Sequence, residues 1–251
     1  QLDRNAPSSI HTYIPAYVPN YINQTTTITL DANEDGIGES GVAEIFYNVN
    51  GGSFQAYTIP FTLSIHGDNI IEYYSVDNVG NVENKSSFTV ILDINDPVTS
   101  LFYSPEYGLN FVNATTSFSF STTDSGYGES GVAEIYYNIN STGWTTYSSS
   151  FDLSSFSNGT VEIEYYSIDN VGNAESIKSE LVKLDRNAPT SSIIYTPEFG
   201  LDFVSNSTIF SLTGSDAGLG ESGIGGGYYR FNGGSWQQYL GPFDLSTLSN
   251  S

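Results

Sequence analysis

The sequence predicts an all-β chain made of tandem β-sandwich domains, and three observations lead to this prediction. The 251 residues repeat themselves: the segment LDRNAP at residues 2–7 returns as LDINDP at 92–97 and as LDRNAP at 184–189. Each copy contains about seven short β-like runs separated by turn signals, the number expected of a sandwich of roughly 100 residues. No segment has the periodicity of a helix.

The repeats set the predicted domain boundaries. They divide the chain into units at residues 1–93, 94–185 and 186–251, and the third is incomplete because it lacks its last strands. We therefore expect that this sequence is part of a longer array of such repeats. An alternative is that the amino-terminal stub of one subunit supplies a strand that another subunit lacks, so that subunits polymerise by strand exchange.

In the first unit, runs rich in β-branched and aromatic residues are bounded by Gly, Asn, Asp and Pro, as strands are. Seven strands are predicted at residues 9–14 (A), 25–31 (B), 42–49 (C), 53–58 (C′), 61–65 (E), 69–76 (F) and 86–93 (G).

Strand C shows the alternation of a half-buried strand. Its predicted inner residues are Ala43, Ile45, Tyr47 and Val49, and its predicted outer residues include Glu44 and Asn48. The dipeptide Asn50-Gly51 follows and predicts a two-residue hairpin turn, because both residues tolerate positive φ. Asn232-Gly233 repeats this turn in the third unit.

Composition excludes several classes of function. Hydrophobic residues make up 38% of the chain, with 19 Tyr and 15 Phe, so the domains can build cores. The formal net charge of -22 repels nucleic acid and anionic lipid, so cations are the expected partners. No apolar run is long enough to span a membrane, and the absence of Cys excludes disulfides and Cys-based zinc sites.

Three motifs carry a resemblance to a known family: SG(V/I)xxIxY in strand C, GGxWxxY in the C′ region and YxxxDNxGNxE in the F–G hairpin. With them, the units resemble the immunoglobulin-like and fibronectin-type-III-like repeats of prokaryotic cell-surface proteins. The resemblance implies immunoglobulin-like sandwiches, an extracellular cell-surface location, and a structural stalk or filament whose partners are neighbouring repeats or subunits of the same protein. The alternatives are an adhesin that binds surface glycans and a non-catalytic appendage of a large secreted enzyme.

An acidic, glycine-rich loop recurs before strand C. It is DANEDGIGESGVAEI at residues 31–45, TTDSGYGESGVAEI at 122–135 and GSDAGLGESGIGGG at 214–227. In an immunoglobulin-like sandwich this loop lies at the same pole as the linker before strand A and the F–G loop. Asp93, Asp124 and Asp169 are therefore expected to converge.

Carboxylates this close repel one another and need a cation or a proton. Calcium suits them because it takes about six to eight oxygen ligands in flexible geometry, and LDINDP is similar in part to the calcium-binding linker motif of cadherins. The predicted ligands are Asp31, Asp35, Glu39, Asp77, Asp93, Asp96, Asp124, Glu129, Asp169 and Asn170. The alternative is a set of solvated turns, since Asp, Asn and Gly are ordinary turn formers.

Catalysis finds no support in the sequence. His11 and His66 do not recur between the units, and there is no nucleophile elbow, zinc-protease motif or phosphate loop. The chain is therefore not expected to be an enzyme.

Two further sets of residues recur. Asn-x-Ser/Thr sequons predict surface N-glycosylation, with chance occurrence in a chain rich in Ser and Thr as the alternative; they are Asn23, Asn84, Asn113, Asn140, Asn158 and Asn206. Phe54, Trp144 and Trp236 occupy one position in the C′ region. A repeating aromatic that accepts Phe is expected to cover the core, and stacking on a sugar ring is the alternative.

Overall fold

The computed structural model describes residues 2–17, 20–36, 38–196 and 203–246. Within these residues the chain is all-β, contains no helix, and therefore has no helix that could cross a membrane. Part of the third copy of the PEFGLDFV segment, at 197–202, and the end of the third predicted unit, at 247–251, lie outside the described residues.

The first unit is a sandwich of a short sheet and a five-stranded sheet. The short sheet pairs β1 with β3, and the larger has the order β2-β7-β6-β4-β5. All neighbours are antiparallel except β2 and β7. The strands are β1 (Ser8–Ile14), β2 (Tyr21–Ile22), β3 (Thr27–Asn33), β4 (Val42–Val49), β5 (Gln55–Ala56), β6 (Gly67–Asp77) and β7 (Ser86–Leu92).

The second unit repeats this pairing strand for strand, with β10-β8 as the short sheet and β12-β11-β13-β14-β9 as the larger one. The strands are β8 (Val98–Ser104), β9 (Phe111–Val112), β10 (Ser117–Thr123), β11 (Val132–Ile139), β12 (Thr145–Thr146), β13 (Gly159–Asp169) and β14 (Lys178–Leu184). The described part of the third unit holds β15 (Thr190–Thr196), β16 (Ile209–Ser215), β17 (Tyr228–Tyr229) and β18 (Gln237–Gln238). The chain is thus a tandem array of immunoglobulin-like sandwiches.

Each complete sandwich is closed by its own apolar core, because alternate residues of both sheets point inward. The first core consists of Ile22, Ile28, Leu63, Ile71, Val90 and Leu92. The second is larger and more aromatic, with Val112, Phe118, Phe120, Ile139, Leu153, Val161, Ile163, Val182 and Leu184.

The predicted strand pattern needs three corrections. Strand C′, expected at residues 53–58, is reduced to Gln55–Ala56. Strand E, expected at residues 61–65, is reduced to one bridge between Phe61 and Ile28. The strand β2 is absent from the predicted pattern, because two residues are too short to show alternation. It runs parallel to β7 and carries the chain from the short sheet to the larger one.

The alternation predicted for strand C is wrong at two residues, Ala43 and Asn48. A register shift between Val42 and Glu44 leaves Ala43 exposed, because a bulge inserts an unpaired residue. Beyond the bulge Ile45, Tyr47 and Val49 are half-buried as expected, but Asn48, predicted to face outward, is 2% exposed and donates its amide to Glu72. The expected hairpin turn also forms, with φ of 53° at Asn50 and 73° at Gly51.

The expectation that the C′ aromatics cover the core is also wrong. Trp144 is 42% exposed and packs edge-on against Tyr166 at 4.8 Å between ring centroids. Phe54 packs in the same way against Tyr74. These rings lie on the outer face of the larger sheet, since the inner face is filled by the residues of the two cores.

Candidate cation site

Three acidic segments meet at the pole of the second unit that faces the first. Asp93 follows β7, Asp124 lies between β10 and β11, and Asp169 ends β13. Each offers a carboxylate oxygen, and these oxygens all lie within 4.8 Å of one another. The sheet order brings them together, because the linker and both loops leave the sandwich at the same end.

The cluster recurs at the equivalent pole of the other units. Asp3, Glu34 and Asp77 are its counterparts in the first unit, and the third unit brings together Asp185, Asp216 and Glu221, of which Glu221 corresponds to Glu129. The repeat has therefore placed a carboxylate group at the same position of the fold three times.

Two hydrogen bonds tie each linker to the acidic loop that follows it. The linker aspartate accepts the backbone N–H of Ser40, Ser130 or Ser222 on Oδ2, at 2.7, 2.6 and 2.8 Å respectively. The linker asparagine donates from Nδ2 to Oε1 of Glu39, Glu129 or Glu221, at 2.8, 2.7 and 2.7 Å. These bonds fix the loop glutamate beside the linker aspartate.

The F–G turn holds the third carboxylate in place. Asp169 is 2% exposed and accepts hydrogen bonds from the backbone N–H groups of Val171 and Asn173 and from the Asn173 amide. Asn170 donates its side-chain amide to the carbonyls of Ser130 and Gly131. Asn170 therefore acts as a brace between the two loops.

The loop glutamates have one oxygen each that is buried and has no hydrogen-bond partner. This is Oε2 of Glu39, Glu129 and Glu221, the same atom in all three units. Oε1 of the same side chain is bound by the linker asparagine. A buried, unpartnered carboxylate oxygen is costly, so its recurrence calls for either a cation or a proton shared with a neighbouring carboxylate.

The close approach of the carboxylates at the pole of the second unit shifts the pKa values of two of them. Burial, reinforced by the charge of Asp93, raises the pKa of Asp124 to about 6. Burial also acts to raise the pKa of Asp93, but hydrogen bonds from Ser130 and Asn95 outweigh it, so that pKa is lowered. Asp93 is thus held ionised and pushes the proton onto its neighbour.

The structure brings together part of the predicted ligand set. Asp77, Asp93, Asp124 and Asp169 lie in the clusters, and Glu129 lies in a second group with His66 and Asp93. Glu39 lies in the corresponding loop of the first unit, where its carboxylate accepts a hydrogen bond from Asn5. Asp31, Asp35 and Asp96 are exposed and belong to none of these groups.

Sequence reasoning missed several members of the clusters: Asp3, Glu34, Asp185, Asp216 and Glu221. The signal that finds them is the internal alignment, which places an acidic residue at each of these positions in every copy.

Close backbone contacts join the pole of one unit to the preceding unit. A Cβ on Gly128 would lie 2.8 Å from the Gly67 Cα, and a Cβ on Gly220 would lie 2.4 Å from the Gly159 backbone nitrogen. His66 also donates its ring Nε2–H to the Tyr127 carbonyl at 2.8 Å. Only glycine fits at these contacts.

Two sequons are engaged in the junctions. Asn23 donates Nδ2 to the Val171 carbonyl at 2.6 Å, and Asn158 donates Nδ2 to Glu221 Oε1 at 3.1 Å. Asn113 donates to the Tyr107 hydroxyl, whereas Asn84, Asn140 and Asn206 are exposed.

No family model and no curated protein matches this chain. Among solved structures, fibronectin(III)-like modules of CbhA from Clostridium thermocellum are 12% identical with a TM-score of 0.39, over 70% of this chain and 95% of theirs. A structure of a 1.5-MDa bacterial ice-binding adhesin is 13% identical with a TM-score of 0.39, over 90% of this chain and 80% of its own. The D00-D0 domain of intimin is 14% identical with a TM-score of 0.27, over 70% and 100%. These values are too low to transfer a function.

Proposed function

We propose that this chain is a structural repeat region of an extracellular surface stalk or filament, in which calcium at the acidic poles holds successive sandwiches in line. The observation that carries the proposal is the unpartnered Glu Oε2, buried beside other carboxylates at the same position of all three units. A solvated turn does not require its carboxylate oxygen to be buried, and it does not require the same oxygen to be buried in every copy.

Calcium is the ion that fits the donor set. The poles of the two complete units offer carboxylate oxygens from three separate segments. Calcium accepts about six to eight such oxygens in irregular geometry, whereas magnesium demands a near-ideal octahedron. Extracellular calcium-binding modules have a Kd of about 10⁻⁴ to 10⁻³ M, so millimolar calcium would fill sites of that affinity.

The position of the cluster makes its effect mechanical. Asp93 directly follows β7 of the first unit, whereas Asp124 and Asp169 belong to the second. An ion bound to all three ties the linker to the sandwich that follows it. Removing the ion leaves the carboxylates to repel one another and frees the linker.

Small-angle scattering of the 251-residue chain with calcium chelated and then restored tests this function. We expect a straight rod in calcium that becomes flexible in chelator at matched ionic strength, together with calcium uptake by calorimetry. A profile that is the same in both buffers, with no heat of binding at millimolar calcium, would overturn the proposal.

A pair of variants links the effect to the cluster. Glu129→Gln keeps Oε1 for Asn95 but replaces the unpartnered Oε2 with a donor, so calcium binding at that pole should be lost. Glu134→Gln removes the same charge from an exposed position on β11 and should leave binding unchanged. Equal affinities in the two variants would place the ion elsewhere.

A further inference from the structure

The aromatic residue of the C′ region carries a cation of the same chain in two of the three units. In the first unit, Lys85 Nζ lies 4.5 Å from the centroid of the Phe54 ring. In the third unit, Arg230 Cζ lies 4.8 Å from the Trp236 ring. The ring faces at this position are thus shaped and placed to receive a positive side chain.

The second unit has the ring but not the cation. The residues equivalent to Lys85 and Arg230 are Ile177 and Asn138, and in the described part of the chain no Lys or Arg lies over Trp144. Trp144 is nevertheless the more exposed of the rings in the two complete units, at 42%. Indole is also the side chain that attracts cations most strongly.

The basic residues nearest in sequence are already engaged. Lys178 pairs with Glu175 at 2.6 Å, Lys183 lies over the Phe111 ring, and Arg186 donates to the Phe156 carbonyl. The chain therefore supplies no cation of its own to Trp144 from these positions.

Neighbouring aromatic and acidic side chains surround Trp144 and form a corner that could hold a cation. Its ring stands at 83° to the Tyr166 ring, which in turn stacks on Tyr136. Glu134 accepts the Tyr136 hydroxyl, and Glu164 accepts the Asn138 amide. Two ring faces at right angles and two carboxylates thus share one outer face of the sheet.

We propose that this corner binds an arginine or lysine side chain of a basic peptide in a partner protein, with the cation over Trp144 in the place that Lys85 takes over Phe54. The net charge of -22 favours such a partner and steers it to the chain. This site is independent of the calcium proposed at the poles, because none of its residues belongs to an acidic cluster there.

Tryptophan fluorescence can test the site directly. The chain has two Trp residues, so Trp236→Phe leaves Trp144 as the only reporter. The probe is the peptide acetyl-Gly-Arg-Gly-Arg-Gly-amide, and its match contains citrulline, the neutral isostere of arginine, in place of both arginines. We expect a saturable change of the Trp144 emission with the arginine peptide that is weaker by about fivefold or more with the citrulline peptide.

A variant that copies the first unit closes the site without disturbing the fold. Ile177→Lys places an in-chain cation where Lys85 stands and should weaken binding of the arginine peptide by about fivefold or more. Val79→Lys adds the same charge at an exposed site of the first unit and should leave binding near that of the parent. Unfolding temperatures of both variants confirm that they are folded.

Three results would overturn the proposal: equal binding of the arginine and citrulline peptides, which would indicate a site for neutral ligands; equal loss in Ile177→Lys and Val79→Lys, which would indicate general charge attraction; or no saturable signal with either peptide.

Discussion

Asn95 donates its side-chain amide to Glu129 Oε1 at 2.7 Å, across the linker between the first two sandwiches. The bond leaves Glu129 Oε2 buried without a partner, in a group with Asp93. The asparagine thus acts as a positioning residue, because it holds the glutamate carboxylate in an orientation that only a cation or a proton satisfies.

We expect Asn95→Ala to weaken calcium binding at this pole by about tenfold, the lower end of what the loss of an outer-shell partner costs a metal site. The physical reason is that Glu129 loses the bond that fixes its orientation, although no proposed ligand is removed. Calorimetric titration with calcium measures the effect. Asn84→Ala, at an exposed position of the first unit outside the junction that Asn95 forms, is the control, and equal affinities in the two variants would contradict the positioning role.

The stability of the calcium-free protein should depend on pH through Asp124. Its pKa in the folded state is about 6, against an ordinary value of 3.8, so the folded state takes up a proton that the unfolded state does not. The stability contributed by this protonation is fully present below the ordinary value and is lost as pH rises through about 6.

Thermal unfolding in chelator between about pH 5 and 7.5 measures this dependence. We expect the second unit to unfold at a lower temperature as pH rises, and Asp124→Asn to flatten that slope. Calcium should reverse the trend, since the ion competes with the proton for the same oxygens. An unchanged slope in Asp124→Asn would show that another group takes up the proton.

The contact between Gly67 and Gly128 should set the angle between the first two sandwiches. Gly128 has a φ of 88° and its Cβ would meet Gly67, whereas Gly80 has a φ of 91° with nothing within 4 Å of its Cβ. Both alanine variants thus carry the same backbone strain, about 1–2 kcal/mol, but only Gly128→Ala forces the units apart.

Small-angle scattering in calcium separates the two effects. Gly128→Ala should change the particle's length or flexibility, and Gly80→Ala should change only the stability of the first unit. If the two variants scattered alike, the glycine contact would not determine the junction.

Internal recurrence separates the predicted ligands that join the clusters from those that do not. Asp77, which joins a cluster, and Glu39, which is bound by the linker asparagine, have acidic counterparts in the other complete unit, Asp169 and Glu129. Asp31, Asp35 and Asp96 are replaced by Ser, Thr or Ala in the other copies. Asp3 and Asp185 were not predicted as ligands, because LDRNAP has Arg and Ala where LDINDP has two potential ligands. The first aspartate of the motif is nevertheless present in every copy and accepts a hydrogen bond from the acidic loop each time.

The strands were easier to predict than the site, because strands follow from local sequence whereas the site depends on contacts between distant segments. Strand C and its turn follow from local alternation and from residues that tolerate positive φ. The bulge at Ala43 and the parallel pairing of β2 with β7 depend on how distant strands meet. The outward position of Trp144 depends on how full the core already is, which a local pattern does not record.

Glu175 in the second unit and its equivalent Glu83 in the first unit are carboxylates with little exposure, and they differ in whether a lysine lies beside them. Glu175 has a side chain 6% exposed and pairs with Lys178 at 2.6 Å, while its other oxygen accepts two hydrogen bonds from Ser167. In the first unit the equivalent Glu83 is held by Ser9 and Ser75 alone, and Ser86 stands in place of the lysine.

The carboxylate therefore stays buried without a lysine beside it, and the serine and backbone donors supply most of its stabilisation. Lys178→Ser should cost about 1 kcal/mol or less, because the lysine is partly exposed to water and the serine and backbone donors remain. Glu175→Ala should cost about 2–4 kcal/mol, because it leaves several buried donors unpaired. Urea unfolding of the two variants measures both values, and a larger loss in Lys178→Ser than in Glu175→Ala would show that the ion pair, rather than the hydrogen bonds, stabilises the carboxylate.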